Sequence, residues 1–366
     1  MDQPFLIRYF MGILRSLARL FAWKISILSS ILLAGAFLSA CSVSTQPAPT
    51  ATPTPPPTAT FIPLPTVTPT PLPLGIDSNP LVFGIVSESS DPKALAAADQ
   101  ITKSIQQLTG KVMTARSYLS YSLLVSDMSA GKVHLAFLPP LTYLYARQLG
   151  FASVVMLTNH FGVYQYGSRF YANVGSQFMS FYDPKTDHST ADAAAALPQF
   201  NGKRPCWIDS TSVSGYIVPL GILKSKNINV AGAAFLNNPA AVIRALYITG
   251  ICDFGVTFTT TGDPRTSPAV AQDLTDVMNR VIVVWQSDPI IPNLNLSFHP
   301  SIRSDMRDDL IFGFKDLLKD DIGKAALSTA NSYEILDLKQ VDDTIYDPLK
   351  ELVRQTGIDM LSLVGR

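Results

Sequence analysis

The chain has 366 residues, 47% of them hydrophobic and only 15% charged, and its 28 Lys and Arg balance 28 Asp and Glu. That length allows two or three domains with a large core. Zero net charge speaks against a nucleic-acid binder, whose affinity rests on basic side chains. Four His and three Cys speak against a zinc-ribbon or zinc-finger protein.

Residues 1–41 read as an address. Arg8, Arg15, Arg19 and Lys24 precede an uncharged apolar run from Ile25 to Ala40, the pattern of a secretory signal. At 16 residues the run is shorter than the ~20 that cross a bilayer as a helix. It ends in Leu38-Ser39-Ala40-Cys41, which resembles the bacterial lipobox and implies lipidation of Cys41. Translation from Met11 would give a charged leader of ordinary length. From Pro47 to Pro73, 11 of 27 residues are Pro and 8 are Thr. Such a stretch has no apolar face to bury and populates extended polyproline II. Residues 42–77 are therefore expected to form a disordered spacer. Residues 1–74 take four basic and one acidic side chain with them, leaving 24 basic and 27 acidic ones in a body of 292 residues.

The body alternates apolar runs with helical patterns. Leu81 to Val86 reads as a buried strand. Asp91-Pro92 offers an N-cap and a first-turn proline, Leu95 to Leu108 follows at helical spacing, and Gly110 stops it. Lys111 to Ala115 is expected as a strand, Ser120 as the cap of a helix through Met128, His134 to Leu138 as a strand, and Leu141 to Gln148 as a helix. The grammar restarts with a strand over Lys203–Asp209, a Ser-rich turn, and a helix over Ile217–Lys224. Ala233 to Leu236 is strand-like, Pro239 to Tyr247 helical, Cys252 to Phe258 a strand, and Val281 to Trp285 a joining strand. Helices are expected over 302–318, 320–331 and 347–357. Strands alternating with helices imply parallel sheets flanked by helices. Two such units place a ligand cleft between them, at the carboxyl ends of their strands.

Five blocks resemble the substrate-binding proteins of phosphate, phosphite and phosphonate ABC transporters. They are Asp209-Ser-Thr-Ser-Val-Ser-Gly-Tyr216 running into a helix with Pro219; Tyr121 with Gly131-Lys132-Val133; Ala136-Phe137-Leu138 with Pro140-Leu141-Thr142-Tyr143; Gly250 with Asp253-Phe254-Gly255; and Ser287 with Pro289 and Ile291-Pro292-Asn293. The resemblance spans about Leu81 to the C-terminus. It implies an α/β, two-lobed periplasmic-binding-protein type II fold, each lobe a mainly parallel sheet, joined by a two-strand hinge. Lobe 1 would comprise 78–165 and 288–366, and lobe 2 would be 166–287. The implied function is extracytoplasmic capture of a small anion and delivery to an ABC permease and its ATPase, by a lipid-anchored monomer. A sensor presenting its ligand to a membrane receptor or histidine kinase, or a binder of another small metabolite, is the alternative.

The resemblance also implies the contacts. Tyr121, Thr142 and Tyr143 would serve from lobe 1, with Tyr118 a rival for Tyr121. Ser212, Val213, Ser214, Asn238 and Asp253 would serve from lobe 2. A Ser-rich turn entering a helix suits an oxyanion, because free amides and the helix dipole point at it; the same Ser-x-Ser also makes an ordinary N-cap. The chain departs from the pattern at Val213 (Thr expected), Asn238 (His expected nearby), His134 (Asp expected) and Pro139 (Gly expected). No nucleophile–base constellation, P-loop or dinucleotide fingerprint is present, so no enzyme is expected. Neither metal nor cofactor is expected, and His134, His160, His188 and His299 are scattered. Cys206 and Cys252 remain either as a disulfide, which an extracytoplasmic compartment permits, or as two buried thiols. Asn295-Leu296-Ser297 is a glycosylation sequon that reads as chance.

Overall fold

The structure, a computed structural model, describes residues 72–87 and 91–364. The signal segment, Cys41 and most of the spacer lie outside those residues. The spacer ends short of Asp77. Leu74 already packs on the body's core, Val112 donates its N–H to Gly75 O at 2.9 Å, and Asn79 Nδ2 donates to Leu72 O at 3.0 Å.

The first sheet begins with β1 (Leu81–Val86). Helix α1 (Pro92–Thr109) follows, capped by the Asp91 side chain on Lys93 N–H and closed by Gly110 in the left-handed region at φ 67°. Its apolar positions Ala94, Ala98, Ile101 and Ile105 recur at helical spacing and are buried. Then come β2 (Met113–Tyr118), α2 (Tyr121–Ser129), β3 (Leu135–Leu138), α3 (Pro140–Gln148) and β4 (Ser153–Asn159). The chain crosses to the second sheet along β5 (Gln165–Asn173), whose end leads into a small hairpin of β6 (Tyr182–Asp183) and β7 (His188–Ser189). The second sheet continues with β8 (Pro205–Trp207), α4 (Val218–Ser225), β9 (Ala234–Phe235), α5 (Pro239–Ile248), β10 (Phe254–Thr259) and β11 (Val281–Gln286). The return passes through β12 (Ile291–Pro292) to β13 (Asn295–Phe298), α6 (Ser304–Leu317), α7 (Asp321–Asn331), β14 (Asp337–Gln340) and α8 (Asp347–Thr356).

Both sheets are mixed rather than mainly parallel. The first has the order β14-β4-β13-β3-β1-β2, and the second β11-β5-β10-β8-β9 with β12 paired to the start of β5. Among the described residues the parallel pairs are β1–β2, β1–β3, β8–β9 and β8–β10. The antiparallel strands are those that carry the chain out to the other lobe or back from it. They need no crossover helix to reach their partners.

Strand directions decide what faces what. β4 leaves the first sheet at its carboxyl end, and β13 re-enters antiparallel to it. β3 runs against β13, and β1 and β2 run with β3. The carboxyl ends of β1, β2 and β3 therefore point toward the second lobe. There, β5 enters from the first lobe and β10 runs against it, with β8 and β9 parallel to β10. Their carboxyl ends point back at the first lobe. The hinge is β5 against β12, Tyr166 opposite Ile291.

One apolar cluster runs through both lobes, from Leu124, Val125 and Leu138 to Phe170, Ile217, Ile222 and Phe254. The C-terminal segment adds a further tie. It was expected wholly within lobe 1, yet α8 lies on α4 of the second sheet, where Lys224 Nζ donates to Thr356 O at 2.6 Å. The approach is close enough that a Cβ on Gly221 would stand 2.3 Å from Leu352 O, so only glycine fits there.

Two smaller expectations resolve in the core. His134 is buried and its Nδ1 accepts from Val82 N–H at 3.0 Å. Burial, with His299 nearby, pushes its pKa down to about 4, which keeps the ring neutral and able to accept. Asn295 is fully buried on β13, donating to Leu138 O and to Tyr346 Oη at 2.8 Å each. A sequon in that position is closed to glycosylation.

Candidate functional site

The turn after β8 has the most suggestive geometry. Ser212 caps it, its Oγ accepting from Gly215 N–H at 3.1 Å. The next residues, Val213–Ile217, form a wide π-type turn that runs directly into α4. Tyr216 and Ile217 both donate to Ser212 O, at 3.1 and 3.0 Å. Among the described residues no acceptor takes the N–H of Val213 or Ser214, and the Ser214 hydroxyl has no partner. The loop is tightly built: a Cβ on Gly215 would lie 2.5 Å from Ile208 Cδ1 and 2.8 Å from Ser212 Oγ. Two amides and a hydroxyl at the head of a helix are a donor set for an oxyanion.

Asn238 shares this edge. It follows β9 and caps α5, its Oδ1 accepting from Ala241 N–H at 2.8 Å. On the first lobe, Tyr121 opens α2 after β2 and packs half-buried on the interlobe cluster. Thr142 lies in the first turn of α3 after β3 and is buried. Tyr118 is the last residue of β2, with its hydroxyl donating to Asp127 Oδ2 at 2.9 Å. The structure thus carries Tyr121 and Thr142 on one carboxyl edge and Ser212, Val213, Ser214 and Asn238 on the facing one.

Two expected contacts lie elsewhere. Asp253 precedes β10, just as Arg204 precedes the parallel β8. Both therefore sit at the amino edge of the sheet, opposite the Ser212 turn. The Asp253 carboxylate takes Arg204 N–H at 2.8 Å and Arg204 Nη2 at 2.9 Å, and this hydrogen bonding holds its pKa below the usual range. It is an edge clamp. Tyr143 is fully buried, its ring 4.3 Å from that of Tyr346. Its hydroxyl donates to Asp343 Oδ1 and accepts from Val154 N–H at 3.3 Å. The residue faces the core.

Residues not read as contacts from the sequence also reach this edge, Ser287 of the fifth block among them. Thr259 ends β10 and Thr260 follows it, and Ser287 and Asp288 follow β11. Behind them lies a buried network: Gln286 Oε1 accepts from Arg169 Nε at 2.7 Å and from Thr259 Oγ1 at 3.0 Å. A cavity of about 800 Å³ opens there, between this edge, Lys226 after α4 and Glu351 on α8. Their signal was positional: each follows the end of a strand, where open α/β sheets place ligands. Cys206 and Cys252 are joined by a disulfide, with Cα atoms 5.6 Å apart.

A family profile described as ABC transporter, phosphonate, periplasmic substrate-binding protein matches residues 83–346. No curated protein matches the chain. Among solved structures, a Xanthomonas citri protein bound to ATP is similar at 15% identity and TM-score 0.55, covering 76% of this chain and 96% of that one. A binding protein component of an ABC phosphonate transporter from Pseudomonas aeruginosa is similar at 19% identity and TM-score 0.44, covering 74% and 84%. PhnD1 from Prochlorococcus marinus in complex with methylphosphonate is similar at 13% identity and TM-score 0.48, covering 78% and 98%. The architecture is that of the periplasmic binding proteins, and the role of such a chain is to bind and hand over a substrate for transport, without turnover. With the profile covering most of its length, the chain belongs to the periplasmic substrate-binding proteins of phosphonate ABC transporters.

Proposed function

We propose that this chain captures a phosphonate-type oxyanion between its lobes and presents it to the permease and ATPase of an importer. The observation that carries this reading is the Ser212 turn, with two amides and the Ser214 hydroxyl left to a ligand on an edge that faces the other lobe. Tyr121 and Thr142 would close on the anion from the first lobe, and Asn238 would help to shape the second. Closure about the β5–β12 hinge would be the signal the permease reads.

The expected result is that S214A weakens methylphosphonate binding about 10- to 100-fold, since a hydrogen bond to a charged oxygen contributes ~1.5–3 kcal/mol. Titration calorimetry reads this directly, and an unchanged affinity in a folded variant removes the turn from the site. S212A should weaken binding as well, by loosening the cap on Gly215.

The protein would act as a monomer held outside the cytoplasmic membrane by acyl chains on Cys41, with the Pro/Thr-rich stretch as its spacer. The support is the charged leader, the apolar run and the Leu-Ser-Ala-Cys sequence. Growth with radiolabelled palmitate should label the wild-type chain and leave C41A unlabelled. Equal labelling of both would place the anchor elsewhere.

A further inference from the structure

We propose that the cleft prefers phosphonates bearing an aryl or similarly large apolar substituent over the smallest ones; this rests on the oxyanion reading of the Ser212 turn. In both lobes, the strand farthest from the hinge carries large apolar side chains out to the facing edge. β2 is the last strand of the first sheet and β9 the last of the second. After β2, Leu119 is 56% exposed and Leu123, in the first turn of α2, 53% exposed. At the end of β9, Phe235 is 45% exposed. Strand direction puts these side chains on the facing edges of the two lobes, where the apolar part of a ligand would be taken out of water.

The apolar surface is continuous with the oxyanion donors. Tyr216, the residue after Gly215, lies edge-on to Phe235 with ring centroids 5.1 Å apart, and to Trp207 at 5.7 Å. Val213 places two methyl groups where the resemblance expects a hydroxyl. An aromatic track therefore leads from the free amides of Val213 and Ser214 toward the rim. A methyl substituent on an anion held at those amides would leave the track uncovered, whereas a phenyl ring would lie along it.

Charge points the same way. Of the four residues that follow each of β1–β4 and β8–β11, His160 after β4 is the single Lys, Arg or His, and it lies against Glu334 and Tyr333; Asp209 and Asp288 are among those residues, and Asp263 is matched by Arg265. An anion held only by neutral donors beside carboxylates needs another source of affinity, and burial of its apolar part supplies one.

Titration calorimetry of the detergent-solubilised full chain with methylphosphonate and phenylphosphonate tests the proposal. Phenylphosphonate should bind about tenfold tighter, the scale of one good aromatic contact with its burial. In L119S and F235S, both at exposed positions, the ratio of the two affinities should fall toward one. Methylphosphonate bound as tightly as phenylphosphonate by the wild type would overturn the preference and leave the oxyanion reading standing. Equal losses for both ligands in the variants would make Leu119 and Phe235 a contact between closing lobes and also overturn it. Binding of neither compound would overturn the oxyanion reading, and this inference with it.

Discussion

Reduction of the Cys206–Cys252 bond should destabilise the protein by about 4 kcal/mol, the chain-entropy value for a loop of this length. The two residues are 46 apart in sequence. The loop they close contains α4, β9 and α5, and with them the Ser212 turn and Asn238. Cys206 lies on β8 directly opposite Gly255 of β10, and Cys252 stands two residues before β10 begins. The bond therefore staples the amino edge of the second sheet, beside the Arg204–Asp253 clamp. Locking that edge leaves the carboxyl edge to hold ligand. Thermal unfolding with and without reductant reads the effect, and a C206S/C252S variant should match the reduced protein. At ~2–4 °C per kcal/mol the melting temperature should fall by about 8–16 °C. Identical melting curves, or two free thiols titrated in the denatured, unreduced chain, would show that the bond does not form.

Much of this architecture is legible in the sequence because local signals agree with the fold. Asp91-Pro92 and Gly110 bracket α1 within a residue. The apolar runs at β1 and β3 are buried at almost every position because they lie inside the sheet. Most of the strands left unread are those whose burial does not look apolar. β5 contains Arg169, which is buried but satisfied by Gln286 and Asp187. β13 contains Asn295 and Ser297, which bond each other. β14 lies at a sheet edge and buries only Leu338. β4, a continuous apolar run, carried a plain signal that the helix–strand alternation obscured. Strand direction was also hidden: a hydrophobic run reads the same for parallel and antiparallel pairing, so the mixed sheets appear only once the hinge crossings are in place.

Placement at the facing edge is legible where a residue follows a strand and obscure where it does not. Ser212, Asn238, Tyr121 and Thr142 each come shortly after a strand's carboxyl end. Asp253 directly precedes β10 and so stands on its amino side, which sends it to the far edge. Tyr143 differs from Thr142 by a single residue, a ~100° turn of the helix, and its hydroxyl meets Asp343 and Val154 in the core.

D263N should cost about 3–5 kcal/mol, the scale for breaking a buried ion pair from one side. Asp263 follows β10 on the facing edge of the second lobe. Its carboxylate receives Arg265 Nε at 3.0 Å and Nη2 at 2.6 Å, with Arg169 Nη1 at 3.9 Å. Arg265 also donates to Val281 O at 2.9 Å, tying this loop to the start of β11. Both arginines are nearly inaccessible, at 4% and 7% exposure, so an amide in place of the carboxylate leaves the Arg265 cation buried without its anion, while Arg169 keeps Asp187. Burial alone would raise the Asp263 pKa, but the Arg265 fork outweighs it and holds the carboxyl below its ordinary range. The sign of the pH dependence follows. A folded-state pKa below the unfolded one contributes stability above the unfolded value, which is 3.8, and that stability is lost as pH falls through the folded one. Wild type and D263N should therefore differ most at neutral pH and converge below about pH 4. Denaturant unfolding across that range measures the gap. A gap that stays constant down to pH 2 would mean that the carboxylate charge is not what holds the carboxyl edge of the second lobe together.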